Sequence, residues 1–138
     1  MITYLIDTSA YVHLGTDPAS QRRWDAEIET GAIGMCEATW AEILFSATSV
    51  DDRDETDEDL AAMFAPVRVP KDAWRWVETA QYKLTQKGQH RAAGVVDLLL
   101  CATAVHHGLT LLHRDKDFAT VARVLKEVEQ QDVRNPGR

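Results

Sequence analysis

The chain has 138 residues, 45% hydrophobic and 27% charged, which is the length and balance of one globular domain and excludes a disordered or fibrous chain. No stretch approaches the roughly 20 apolar residues of a membrane span. The N-terminus also lacks the basic flank and cleavage site of a signal peptide, so a cytoplasmic protein with no membrane role is expected.

The formal charge of −7 is concentrated in one place. Residues 51–59 hold seven acids and one arginine, a net of −6, and the rest of the chain carries only −1. That run reads as a solvated loop leading into a helix, since acids favour a helix N-terminus. Global acidity disfavours avid nonspecific nucleic-acid binding, yet it leaves room for a local basic rim. Candidates for such a rim are Lys87, His90 and Arg91, and Arg114 with Lys116.

In chain order, Thr3–Ile6 reads as a short first strand closed by Asp7-Thr8-Ser9, with a helix over the Ala-Tyr-Val-His-Leu that follows. Asp17-Pro18 fits the start of a second helix over 18–30, and Gly31 its end. Residues 32–36 form a candidate second strand. Glu37–Thr48 carries a helical stripe of Ala38, Ala41, Leu44 and Phe45. A short helix is expected over 57–65 and a third strand over 67–69, ended by Pro70. Asp72–Gln86 has Ala73, Val77, Ala80 and Leu84 at helical spacing, with Lys87-Gly88 as a stop. Val95–His107 is apolar on nearly every face, which predicts a buried helix, ended by Gly108. A fourth strand over 109–112, a helix over 118–125 and an edge strand near 127–130 complete the domain. Residues 1–133 form that domain, and 134–138 read as a frayed tail.

Strands alternating with helices imply a three-layer α/β/α fold around a central parallel sheet. Cys36 and Cys101 sit in apolar surroundings without metal spacing and read as reduced core residues. The five histidines show no metal spacing either, and solvent or packing roles are expected for them. The tryptophans read as core or partner-facing residues; Trp74 and Trp76, two apart, cannot share one helix face.

Ligands of such folds bind beyond the carboxyl ends of the strands, which makes the positions of five acids informative. Asp7 follows the first strand, Asp115 and Asp117 follow the fourth, Asp97 opens the apolar helix, and Glu42 lies among Trp40, Ala41, Ile43, Leu44 and Phe45. Each alone also fits a helix cap or an exposed helix edge. Together they crowd like charges that cannot all stay ionised without a counter-ion. Oxygen donors without Cys or His partners favour Mg²⁺ or Mn²⁺, and such a cluster suits phosphodiester hydrolysis.

Tyr4-Leu5-Ile6-Asp7-Thr8-Ser9-Ala10 resembles the opening of PIN-domain proteins, and Trp40-Ala41-Glu42-Ile43 their second acidic position. Val96-Asp97-Leu98-Leu99-Leu100-Cys101-Ala102-Thr103-Ala104 resembles the third, and Leu112-His113-Arg114-Asp115-Lys116-Asp117-Phe118 the fourth. The order and spacings are similar to those of the VapC toxins of type II toxin–antitoxin pairs. So are His107-Gly108 and the Lys87-Gly88, His90-Arg91 stretch, and the resemblance covers almost the whole chain.

The resemblance implies a Mg²⁺-dependent endoribonuclease, with Mn²⁺ able to substitute, that cuts a structured RNA such as tRNA or rRNA and leaves 5′-phosphate and 3′-hydroxyl ends. It also implies a homodimer and a VapB-like antitoxin that covers the acidic site with a basic side chain. By motif match, Asp7, Glu42, Asp97 and Asp115 are the catalytic, metal-holding acids. Asp117 shares the fourth element, and the sequence leaves open which of Asp115 and Asp117 points inward. Ser9 matches a hydroxyl position supporting the first Asp, and Lys87, Arg91 and Arg114 are candidate RNA contacts. Two other readings compete: a PIN-like binding protein that no longer cleaves, and a haloacid-dehalogenase-type phosphatase. The latter wants a second Asp where Ser9 stands.

Overall fold

The alternation of apolar runs with helical periodicity resolves into strands β1 (Tyr4–Ile6), β2 (Ile33–Cys36), β3 (Ala65–Val67), β4 (Thr110–His113) and β5 (Gln130–Asp132). The helices between and after them are α1 (Thr8–Thr16), α2 (Pro18–Glu29), α3 (Glu37–Phe45), α4 (Val50–Met63), α5 (Ala73–Gln86), α6 (Val95–His107) and α7 (Lys116–Val124). The structure is a computed structural model that describes residues 1–135. The sheet order is β3-β2-β1-β4-β5, every pair parallel.

Period-2 alternation divides each central strand between two cores. Leu5, Cys36 and Leu111 point into one core with Val77, Ala80 and Leu84 of α5, Leu98 and Cys101 of α6 and Phe118 of α7. Ile6, Met35 and Leu112 point into the other with Ala10, Trp24, Ile43 and Leu60 from α1 to α4. The fold is therefore the expected three-layer α/β/α sandwich. No described helix is long and apolar enough to cross a membrane.

Winding from β1 to β3 runs one way along the sheet, and β4 and β5 lie on the other side of β1. The chain reverses direction between β1 and β4, and the crevice beyond their carboxyl ends is where an open parallel sheet receives a ligand.

Several boundaries differ from the sequence reading, each for a local reason. The acidic run is helical throughout: α4 starts at Val50 because the Ser49 hydroxyl accepts the Asp52 amide at 3.0 Å, with Asp51 and Asp52 complementing the helix dipole in the first turn. β3 lies at 65–67 and not at 67–69, and it contains Pro66. An edge strand tolerates proline because one side of its backbone needs no partner. β5 pairs at 130–132 and not at 127–130, in register with Leu111, Leu112 and His113. α3 stops at Phe45, three residues before the expected end. The thiols of Cys36 and Cys101 are free and buried. Trp24 is 1% exposed and donates its indole N–H to the Val133 carbonyl at 2.8 Å. Trp74 is exposed while Trp76 packs against the core, as their spacing required.

Arg134, expected in the frayed tail, pairs with Asp132 at 2.7 Å, and its carbonyl accepts from Arg23 at 2.9 Å. Positions 136–138 of that tail lie outside the described residues.

Gly34 in β2 sets how closely the edge can pack. A Cβ there would fall far inside contact distance of Val67 Cγ2, and would lie 3.1 Å from Ile2 Cγ2 and 3.2 Å from the Ala65 carbonyl oxygen. Val67 is buried and β-branched, so it has little freedom to move aside. Gly34→Ala should therefore destabilise the protein by about 1–3 kcal/mol through overpacking. Urea denaturation measures this, and an unchanged midpoint would show that β3 is not held this tightly.

Candidate active site

β1 ends at Ile6, and Asp7 follows it at once as the N-cap of α1. The Asp7 side chain is 5% exposed. Its Oδ1 accepts the Ala10 amide at 2.9 Å and the Ser9 hydroxyl at 2.8 Å. Asp7 is thus a helix cap, and it is also a buried acid at the carboxyl end of the central strand. One oxygen of the carboxylate does the capping, and the two roles coexist.

β4 ends at His113, and Asp115 follows as the N-cap of α7, its Oδ1 accepting the Asp117 amide at 3.0 Å. β1 and β4 are neighbours, so the two caps sit side by side at the reversal point. Ser9 joins them: its hydroxyl donates to Asp7 and accepts the Arg114 amide at 2.9 Å. This hydroxyl ties together the ends of two strands that lie about a hundred residues apart in sequence.

Asp97 stands in the first turn of α6, which starts without a side-chain cap at Gly94. Its carboxyl is pushed up to about 6, first by burial, then by the charges of Asp115 and Asp7, and to a lesser degree by Glu42; the Gly94 amide opposes the rise. The other three acids of the expected quartet therefore all act on Asp97. Burial also raises Asp7, and Asp115 adds to that, while the Ala10 amide, the Ser9 hydroxyl and His113 oppose it. Cys101, one turn along α6 from Asp97, has its thiol raised by burial and then by Asp97 and Asp7, so it stays a neutral core residue.

Glu42 is the exposed member of the group, on α3, where its Oε1 accepts the Thr8 hydroxyl. Asp117 is not drawn in: it is absent from the charges acting on Asp7 and Asp97, and it touches Asp115 through its backbone amide. Of the two, Asp115 is the acid whose charge acts on Asp7 and Asp97. Lys87 closes the C-terminal end of α5, and Arg91 is exposed in the segment leading into α6. The Arg114 side chain is exposed beside the site, while its backbone holds Ser9.

Sequence reasoning missed two residues. Thr8 was read only as part of the turn, although a hydroxyl beside the first acid was a signal. His113, read with the other histidines as a solvent or packing residue, is 2% exposed and hydrogen-bonded through both ring nitrogens, with Nδ1 accepting the Asp115 amide at 3.0 Å. Its position at a strand end, directly before an acid-bearing turn, set it apart.

The two ion pairs found among the described residues, His13–Asp17 and Asp132–Arg134, involve none of the four acids. An oxygen-only donor set, mutually repelling and without an internal cation, fits a hard divalent ion. No three of these groups among the described residues are already gathered tightly enough to ligate one ion. The carboxylates have the donor chemistry of a metal site without its closed ligation geometry.

Comparison with known proteins gives the same picture. Residues 4–124 match the PIN domain family. Ribonuclease VapC6 of Mycobacterium tuberculosis is 35% identical over 118 residues, which span 86% of this chain and 93% of that one. Ribonuclease VapC2 of the same organism is 35% identical over 135 residues, or 96% and 94% of the two chains. Among solved structures, the DNA-bound VapBC of Salmonella typhimurium superposes with a TM-score of 0.77 at 16% identity, over 96% of this chain and 99% of that one. VapBC-1 of nontypeable Haemophilus influenzae gives 0.76 at 15% identity, over 97% and 100%. At such identities the structural likeness speaks for the fold.

The raised carboxyl of Asp97 makes stability depend on pH with a definite sign. Its folded value of about 6 lies above the ordinary 3.8, so the folded protein binds this proton more tightly than the unfolded chain. The favourable contribution is complete below about 4 and is lost as pH rises through about 6. Asp97→Asn should therefore stabilise the metal-free protein at pH 7.5. The expected gain is about 1–2 kcal/mol once partial exposure is discounted, and it should vanish near pH 4. Melting curves in chelator at both pH values measure it; an equal effect at both, or destabilisation at pH 7.5, would remove the electrostatic explanation.

Proposed function

This chain belongs to the PIN-domain family and is a ribonuclease of the VapC type, and we propose that it cuts RNA by metal-assisted hydrolysis at the cluster of Asp7, Asp97, Asp115 and Glu42. The observation that carries this assignment is Asp97, pushed up to about 6 by burial and then by the other three acids, none of which pairs with a lysine or arginine among the described residues. A group of charges so placed weakens the fold unless something positive joins it.

Asp7, Asp97 and Asp115 would hold a Mg²⁺ ion, or Mn²⁺ in its place, with Glu42 at the rim. The bound ion supplies Lewis acidity that acidifies the attacking water and offsets the charge of the scissile phosphate. Ser9 fixes the direction of the Asp7 carboxylate by donating to both of its oxygens. The Thr8 hydroxyl fixes one oxygen of Glu42, and the other oxygen is available to orient a water. Arg114, Arg91 and Lys87 are the exposed cations that would meet the RNA backbone; the acids of α4 keep nonspecific affinity low.

The substrate in this reading is a structured RNA, tRNA or rRNA, cut to 5′-phosphate and 3′-hydroxyl ends in the cytoplasm. Solved relatives are VapBC complexes, which supports a VapB-like antitoxin as partner, its basic side chain meeting the negative site. Exposed apolar residues at the start of α6, Val95 and Val96, and Trp74 on α5 support a homodimer. A phosphatase of the haloacid-dehalogenase type finds no support: Ser9 stands where the second acid would be, with its hydroxyl committed to Asp7.

Asp7→Asn and Asp97→Asn each remove one charge with little change of shape, and Asn remains a good cap at position 7. Each should lower Mg²⁺-dependent cleavage of total RNA by about 10²-fold or more while leaving the circular dichroism spectrum unchanged. Wild-type rates in both variants would overturn the assignment, and a wild-type protein without cleavage under any divalent ion would favour a silent binding protein.

A further inference from the structure

The hydrogen bonds at the end of β4 give His113 a role outside the acidic cluster itself. The ring is 2% exposed and lies 5.1 Å from Phe118, tilted by 42°. Its Nδ1 faces the Asp115 backbone amide at 3.0 Å, and its Nε2 faces Gln130 Oε1 at 2.7 Å. A backbone N–H can only donate, so Nδ1 must carry the lone pair, and the ring proton lies on Nε2, donated to the Gln130 carbonyl oxygen. One tautomer satisfies both bonds. The His113 backbone is held as well, its carbonyl accepting from Val133 at 2.7 Å.

Asp115 is thus fixed from both sides, through its amide by the ring and through its carboxylate by the Asp117 amide. The ring in turn is anchored to β5, a strand that carries none of the four acids.

We propose that His113 is a positioning residue, whose imidazole, locked in one tautomer by Gln130, sets where the Asp115 carboxylate stands beside Asp7 and Asp97. This rests on reading Asp115 as part of the cutting site. Outer hydrogen-bond partners of this kind typically govern about 10–100-fold in metal affinity. A purely packing histidine would be replaceable by any ring of similar size. A positioning histidine requires an acceptor at the Nδ1 position, which Asn supplies and Phe does not.

Three variants, His113→Phe, His113→Asn and Gln130→Leu, separate the cases by Mn²⁺ titration, followed by the paramagnetic relaxation of water protons. His113→Phe should weaken Mn²⁺ binding by about fivefold or more, and His113→Asn should recover most of the loss. In RNA cleavage, the Phe variant should lose kcat while KM holds. A cooperatively melting Phe variant with a smaller loss than that overturns the proposal. Should the Phe variant fail to fold, Gln130→Leu decides. It keeps the ring buried but removes the acceptor that fixes the tautomer, and Mn²⁺ affinity unchanged from wild type counts against His113.

A metal-free readout keeps the two readings apart. Long-range proton–nitrogen spectra of the wild type should show the Nε2-protonated ring, and an Nδ1-protonated ring overturns the proposal whatever the metal does. The expected tautomer in a protein that binds no Mn²⁺ would instead remove the cutting-site reading and leave His113 as the anchor of Asp115.

Discussion

Mutual repulsion among carboxylates at the point where the sheet reverses is the constraint on which the rest of this structure turns. Asp7 and Asp115 arrive there because β1 and β4 are adjacent and parallel, and each strand hands its acid directly to the next helix. Asp97 arrives with the first turn of α6, and Glu42 reaches in from α3. A fold selected only for stability would not place them so. Burial raises Asp97 and Asp7; Asp115, Asp7 and Glu42 raise Asp97 further, and Asp115 raises Asp7 further. A divalent cation converts the same arrangement from a cost into a gain, since any ion that binds only the folded state stabilises it.

Hydrogen-bonding groups orient the acids. Ser9 spans Asp7 and the Arg114 backbone, Thr8 holds Glu42, and His113 holds the turn that bears Asp115. The Ser9 and Thr8 hydroxyls carry no charge that would compete with a metal for the carboxylates. The site is therefore oriented with no lysine or arginine paired to its acids among the described residues, as the proposed cation site would require. The two layers of helices supply the rigid support: each central strand sends one side chain into each core, so the strand ends cannot rotate to relieve the repulsion.

Much of this was legible in the sequence because it depends on local order. An apolar run of three or four residues followed by Asp marks a strand end in a parallel sheet, and Gly108, with φ at 68°, marks the end of the buried helix. What escaped reading depends on partners distant in the chain. The third strand reads as 67–69 in sequence but lies at 65–67 with Pro66, because at the edge of the sheet a missing donor costs nothing. The acidic run reads in sequence as a loop leading into a helix, yet the Ser49 cap and the acids of the first turn begin α4 at Val50. Asp115 and Asp117 are indistinguishable by motif, and only Asp115 acts on Asp7 and Asp97 in the fold. His113 looked like any other histidine until Gln130, seventeen residues on, was placed across from it.

The central claim is that four acids from four elements form one divalent-cation site. Anomalous diffraction from crystals of the wild-type chain soaked in Mn²⁺ tests it most directly. The expected result is a peak within coordination distance of the Asp7, Asp97 and Asp115 carboxylates, absent from crystals of Asp97→Asn. A Mn²⁺ peak elsewhere on the protein, with these three carboxylates unliganded, would contradict it.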